Sequence, residues 1–329
     1  MAALLLIAGG AALLYFGAEW LVAGSAGLAL RLGVRQLVVG LTVVAFGTST
    51  PEVVVSVEAA LDGATAIALG NVLGSNIANL GLILGLAVLL RPTRVDGQLA
   101  RREVPMLLGS TALVPLLAWN GGLDRVDGLV LCTIALVYTV TMVMGARSRG
   151  TTAEAESAAA TTADAAHGAG APEARSGARL VFLIVVGLAV LILGGKLLVT
   201  GAVDLARAFG LSEALVGLTI VAVGTSLPEL AASLVAAARG HGDIAVGNVI
   251  GSNIFNVLVC LGLAVLARPF DVSLASIRVE LVALVAMTLL GALFMRTSRT
   301  MMRWEGGVLL GLYAAFVGTS VALSVLTAS

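Results

Sequence analysis

Charge is scarce in this 329-residue chain. Asp, Glu, Lys and Arg make up 12% of it, against about 25% in ordinary soluble domains. Hydrophobic residues reach 59% and mean hydropathy is +1.06. Such a chain cannot cover a water-facing surface, which points to an integral membrane protein with the lipid bilayer as a partner. Aromatics are also few, at 4%, and sustained polar/apolar alternation is missing, so a membrane barrel is disfavoured. Apolar runs of about 20 residues argue for spanning helices instead. The formal net charge is zero, which gives no footing for nucleic acid; nothing in the chain calls for an obligate protein partner. The two cysteines, Cys132 and Cys260, lie in apolar runs and are expected to be packing residues, not a disulfide or a metal pair. His241 falls in a loop, where an exposed ring is expected. The first apolar segment lacks the basic leader and small-residue cleavage site of a signal peptide and is expected to belong to the fold.

Against these shortages stands a repeat. Residues 40–52 read GLTVVAFGTSTPE and residues 217–229 read GLTIVAVGTSLPE. Residues 70–79 read GNVLGSNIAN and residues 247–256 read GNVIGSNIFN. The offset is 177 throughout, and about 30 of the 50 positions in 40–89 match those in 217–266. GAEWLVAGSAGLALRLG at 17–33 aligns with GGKLLVTGAVDLARAFG at 194–210 at the same offset. Forty glycines suit close helix packing, as in Gly70-x-x-x-Gly74, Gly81-x-x-x-Gly85 and Gly247-x-x-x-Gly251.

Ten apolar segments are expected, near 2–30, 36–61, 65–90, 103–119, 126–145, 179–206, 213–238, 243–267, 274–295 and 305–327. Residues 146–178 are rich in Ala, Thr, Gly and Ser and read as a flexible linker. The organisation is then a first five-helix repeat at 1–145, the linker, and a second five-helix repeat at 179–329. An odd number of spans per repeat makes the second copy enter from the opposite side. The expected fold is therefore all-α, ten transmembrane helices in two inverted repeats, with broken helices at an ion site. One face collects 14 of the arginines and the other four. Positive residues stay inside, so the linker is expected in the cytoplasm and both termini outside it.

The repeated blocks carry the chemistry. Pro51 has no N–H and clashes with the carbonyl of Gly47, so the helix should break there and free carbonyls near Ala45–Gly47. Thr48 and Glu52 share a helix face. Broken backbone at membrane depth is tolerated where it lines a cavity or lies buried in protein. Thr225, Ser226, Pro228 and Glu229 repeat the device. Ser75 and Asn79, with Ser252 and Asn256, add a second pair of i,i+4 faces. Asn71, Asn76, Asn248 and Asn253 sit in the same blocks and are expected to cap or cross-link the broken helices. The donors are hard oxygens, which suit Ca²⁺ or Na⁺ better than zinc or copper; Mg²⁺ fits less well because it keeps its waters. No Lys or Arg in the blocks neutralises Glu52 or Glu229, and an unpaired carboxylate in the bilayer is costly, so a bound cation is the expected counter-charge. Glu19 and Lys196 occupy equivalent positions, and a pairing across the pseudo-two-fold axis is expected. No His-activated nucleophile or metal dyad for an intramembrane hydrolase is evident. A single chain with its own repeat favours a carrier over a symmetric channel.

At these residues the chain resembles the sodium/calcium exchanger branch of the Ca²⁺/cation antiporter superfamily, of the prokaryotic type. The resemblance covers all but the linker. It implies that Thr48, Ser49, Glu52, Ser75, Asn79, Thr225, Ser226, Glu229 and Ser252 are ion ligands, with the carbonyls of Ala45 and Ala222. Asn256 belongs to the same candidate set, although some members carry Asp there. Those include potassium-dependent exchangers, so Asn256 argues against a K⁺ requirement. The resemblance further implies antiport of Ca²⁺ against Na⁺ by alternating access, with the first and sixth segments sliding over a core of the second, third, seventh and eighth. No prosthetic group is expected. An H⁺- or K⁺-dependent exchanger of Ca²⁺ or another divalent ion stays open.

Overall fold

The computed structural model describes residues 2–95, 97, 99–142, 144, 176–209, 222–297 and 300–328. It is helical almost throughout. The long elements are α1 (Ala2–Arg31), α2 (Gln36–Thr48), α3 (Thr50–Leu61), α4 (Thr65–Leu90), α5 (Val104–Leu117) and α6 (Arg125–Met142). After the linker come α7 (Gly177–Ala208), the one-turn α8 (Ala222–Gly224), α9 (Leu227–Ala238), α10 (Gly242–Ala267), α11 (Arg278–Thr297) and α12 (Arg303–Ala328). Seven of these helices are long and apolar enough to cross a membrane, or eight if α2 and α3 form one span bent by 43°. The expected linker lies outside the described residues up to 175, as do 213–221, the expected first part of the seventh segment.

Both breaks follow the sequence. Ser49 ends α2 at φ −82°, ψ 3°, and Pro51 sits in the first turn of α3. Ser226 has φ −88°, ψ 8° before Pro228 in the first turn of α9. A proline in a first helical turn loses no hydrogen bond, because those N–H groups have no intrahelical partner anyway. The break also places Glu52 and Glu229 in the first turns of α3 and α9, where the helix dipole favours negative charge. The turns after each helix are the sites where glycine's freedom counts: Gly63 has φ +83° and Gly240 φ +86°. Each is covered by an arginine from the other half, Arg268 on Gly63 and Arg91 on Gly240.

Helices α4 and α10 run through the centre. Leu69, Val72, Leu73, Ile77 and Leu80 of α4 pack with Val249, Ile250, Ile254 and Leu258 of α10 in one apolar core. Both contain a π-helical stretch, Asn79–Ile83 and Asn256–Leu261. Two short antiparallel ladders join the halves: β1 (Thr93–Arg94) with β4 (Thr300–Met301), and β2 (Gly122–Leu123) with β3 (Phe270–Asp271).

Helices α1 and α7 pack antiparallel along a glycine seam. A Cβ on Gly10 would lie 2.6 Å from the Leu198 amide nitrogen and 2.7 Å from the Gly194 carbonyl. One on Gly17 would lie 2.8 Å from the Leu191 nitrogen and 2.9 Å from the Gly187 carbonyl. Gly187 and Gly194 mirror these contacts against Leu21 and Leu14. The contact is backbone on backbone, as small residues allow in a bilayer. The triplets expected to pack helices do so at Gly81 and Gly85, against α12, and at Gly247 and Gly251, against α2. Gly70 and Gly74 meet nothing within 4 Å among the described residues.

The expected pairing of Glu19 with Lys196 does not occur. In this seam equivalent residues meet near 14–15 and 191–192, so Glu19 and Lys196 lie on opposite sides of the crossing, about 13 Å apart along the helix axis. Glu19 instead binds Arg239, with Oε1 2.7 Å from Nη2 and 2.8 Å from Nε. His241 is half-buried, not exposed, and its Nδ1 lies 3.0 Å from Gln36 Oε1. Both cysteines are free.

The seam generates a prediction. Gly17→Leu must push two backbones apart and should destabilise the fold by about 1–3 kcal/mol, read as a lower unfolding midpoint in detergent. Gly9→Leu, where a Cβ meets nothing within 4 Å, should leave the midpoint unchanged.

Candidate functional site

The two breaks face each other and exchange hydrogen bonds. Ser49 Oγ donates to Glu229 Oε1 at 3.0 Å, and Ser226 Oγ donates to Glu52 Oε1 at 3.2 Å. Each glutamate is thus held by the serine of the opposite repeat. Both carboxylates are fully buried, with 0% exposure.

A second exchange surrounds the first. Thr48 Oγ1 lies 3.2 Å from Asn248 Oδ1, and Thr225 Oγ1 3.3 Å from Asn71 Oδ1. Asn248 Nδ2 donates to the Glu229 carbonyl at 3.4 Å and to Ser233 Oγ at 2.9 Å. Asn71 Nδ2 donates to the Glu52 carbonyl at 3.3 Å and to Ser56 Oγ at 2.9 Å. The two asparagines therefore staple the broken helices, as their place in the blocks suggests. Asn76 Nδ2 bonds the Asn253 carbonyl at 3.3 Å, and Asn253 Nδ2 the Val249 carbonyl at 2.7 Å. Ser56 and Ser233 escaped the sequence reading. Their signal was available: each lies one turn beyond its glutamate, and they are 177 apart.

What the network leaves unsatisfied is as regular as what it satisfies. Glu52 Oε2, Glu229 Oε2, Ser75 Oγ, Ser252 Oγ and both polar atoms of Asn79 and Asn256 are buried with no hydrogen-bond partner. Buried polar groups are nearly always paired, so a pairwise set of unpaired oxygens calls for a bound ion or water. Asn79 and Asn256 each open a π-helical stretch, a device common where a helix must re-aim a side chain. The stretch starting at Asn256 packs on α3, which carries Glu52, and the one starting at Asn79 packs on α9, which carries Glu229. Cys260 reinforces the first contact, its Sγ lying 3.2 Å from the Glu52 carbonyl.

One expectation about the backbone needs correction. The Ala45 carbonyl is not freed by the break, because it accepts the Ser49 N–H at 3.0 Å and lies 3.5 Å from Thr48 Oγ1. Pro51 removes the donor to Gly47, whereas the donor to Ala45 is Ser49. At the second break Ser226 N donates to Val223, not to Ala222, so the two breaks differ in this detail.

The arrangement has a definite chemistry. Its unpaired atoms are hard oxygens, apart from two amide nitrogens. Its only acids are two carboxylates: among the described residues no three His, Cys, Asp or Glu side chains gather. It fits an alkali or alkaline-earth cation; the soft atom beside it, Cys260 Sγ, is turned to the Glu52 carbonyl. A cavity of about 670 Å³ opens elsewhere, beside α2, α6 and α10. Its lining is apolar, with Leu41, Phe46, Leu136 and Phe255, and includes neither glutamate.

Comparison with known proteins agrees with this chemistry. The family model "Sodium/calcium exchanger protein" matches residues 2–144 and 179–322. The chain is 33% identical to the sodium/calcium exchanger MaX1 of Methanosarcina acetivorans, covering 92% of this chain and 93% of that one. It is 38% identical over 265 residues to the inner membrane protein YrbG of Escherichia coli, covering 80% and 79%. The solved structure of the sodium-calcium exchanger NCX_Mj, soaked with Na⁺ and Ca²⁺, superposes with a TM-score of 0.82 at 32% identity over 97% of this chain and 98% of that one. The chain belongs to the sodium/calcium exchanger family.

Proposed function

We propose that the protein is a secondary antiporter that exchanges Ca²⁺ for Na⁺ across the cell membrane by alternating access. It is a transporter and not an enzyme, and its substrates are ions. The observation that carries the reading is the symmetric set of buried, unpaired oxygens around Glu52 and Glu229. Ca²⁺ takes about 6–8 oxygen ligands in flexible geometry, and the two carboxylates balance its charge. Na⁺ would compete for the same oxygens, because loading both cations in full would leave uncompensated positive charge in a low dielectric. The relatives named sodium/calcium exchangers, MaX1 and NCX_Mj, support the choice of ions.

In this reading Glu52, Glu229, Ser75, Asn79, Ser252 and Asn256 ligate directly, and Ser49 and Ser226 orient the carboxylates. Thr48 and Thr225, with the carbonyls of Ala45 and Ala222, complete the ligand set as the ions move. The fold is two inverted five-helix halves with ten spans, 1–145 and 179–329, joined by a cytoplasmic linker at 146–178, with both termini outside. The paired contacts at the 177-residue offset and the one-sided arginines support that arrangement.

The test is radiolabelled Ca²⁺ uptake into proteoliposomes under imposed gradients. An outward Na⁺ gradient should drive uptake, and a pH gradient alone should not. Glu52→Gln and Glu229→Gln should each lower it by about a hundredfold, equivalent to about 2.7 kcal/mol; undiminished uptake in both would sink the site. Ser49→Ala and Ser226→Ala should cost less, about tenfold each, the scale of one lost hydrogen bond to a charged group. Replacing K⁺ with choline on both sides should leave wild-type uptake unchanged, since both π-helical stretches open with an amide, not an acid.

A further inference from the structure

The two repeats share about 30 of 50 positions in their central blocks but differ in what α1 and α7 touch. Helix α1 lies along α9, where Ala18, Leu21 and Val22 pack with Ala232, Val235 and Ala236. Helix α7 also touches α9. Neither α1 nor α7 has more than a marginal contact with α3, the counterpart of α9. Burial follows: Ala236 is fully buried, while its counterpart Ala59 is only half-buried and Glu58, the counterpart of buried Val235, is exposed. The helix pair is thus seated on α9 and leaves α3 open, while both of its helices also touch α2.

At the seated end Glu19 of α1 binds Arg239, the residue that caps α9. Subtracting or adding the offset of 177 gives the counterparts. Glu19 corresponds to Lys196 on α7, and Arg239 to Asp62, the residue that caps α3. The signs are reversed in both partners, so the second repeat conserves an attractive pair with its charges exchanged. Lys196 and Asp62 are both exposed, and no ion pair joins them among the described residues.

We infer that Glu19–Arg239 and Lys196–Asp62 are two alternating latches that hold the α1/α7 pair at either end of its travel. The inference rests on the alternating-access reading above. One latch closes where the pair sits on α9. The other closes when the pair moves onto α3, with the glycine seam intact because α1 and α7 travel together. These four residues are positioning residues: they touch no ion and set which face is open. Because the ends compete, neutralising one latch must favour the state held by the other.

That opposition of sign is testable. Spin-labelled unnatural side chains at Leu30 on α1 and Leu90 on α4, both exposed, report the position of α1 against the core by pulsed EPR in nanodiscs. Two distances are expected. Glu19→Gln or Arg239→Gln should reduce the ratio of the present arrangement to the other by about two- to fivefold, the range an exposed ion pair supports. Lys196→Gln or Asp62→Asn should raise the same ratio by a similar factor. The exchange variant Glu19→Arg with Arg239→Glu should return it to the wild-type value. A single distance throughout, no change, or changes of the same sign from both pairs would overturn the latches. A wild type that samples both distances yet moves no Ca²⁺ against Na⁺ would instead overturn the antiport reading and leave the latches standing.

Discussion

Everything in this structure is arranged around the cost of keeping two carboxylates inside a bilayer without a basic partner. Burying a charge is tolerable only when it is hydrogen-bonded and counter-charged. The chain supplies the hydrogen bond by crossing its repeats, Ser49 to Glu229 and Ser226 to Glu52. It leaves the second oxygen of each carboxylate for something else. The proline breaks serve this arrangement twice. They stop the helices where the two halves meet, and they put each glutamate in a first turn with its positive dipole end. The asparagine staples then fix the broken ends, so the site keeps its shape although its helices are interrupted.

The same repeat explains why the site need not be static. A duplicated sequence can sit in two arrangements of near-equal energy, each the mirror of the other in role. Here α1 and α7 rest on α9 and leave α3 uncovered. Their own contact is a seam of backbone and glycine, which ties them to each other more than to the core. In the proposed antiport, a cross-held centre beneath a separately packed helix pair would let one site face two sides in turn.

Much of this was legible in the sequence because the repeat carried it. The offset located both half-sites, and the Pro-Glu pairs located both breaks. Hard-oxygen donors without basic partners pointed to a cation. Other features were not legible, for identifiable reasons. Equivalence in sequence placed Glu19 opposite Lys196, but meeting requires that both lie at the crossing point, and the seam crosses near residues 14 and 191. Proline's missing N–H suggested free carbonyls around Ala45, yet Ser49 still donates to it. The π-helical stretches at Asn79 and Asn256 have no marker that helical periodicity reveals, since the surrounding residues are apolar on every side. The short ladders of β1 with β4 and β2 with β3 join residues far apart in the chain, which local pattern does not encode. Ser56 and Ser233 were missed for a different reason: a serine one turn past a glutamate is unremarkable until the opposing asparagine is in view.

The most direct measurement is an anomalous difference map from crystals of the protein grown with Ca²⁺. The account predicts a peak bounded by both repeats, about 2.3–2.6 Å from Glu52 Oε2 and Glu229 Oε2. A Ca²⁺ peak that touches only one of the two carboxylates, or neither, would contradict it.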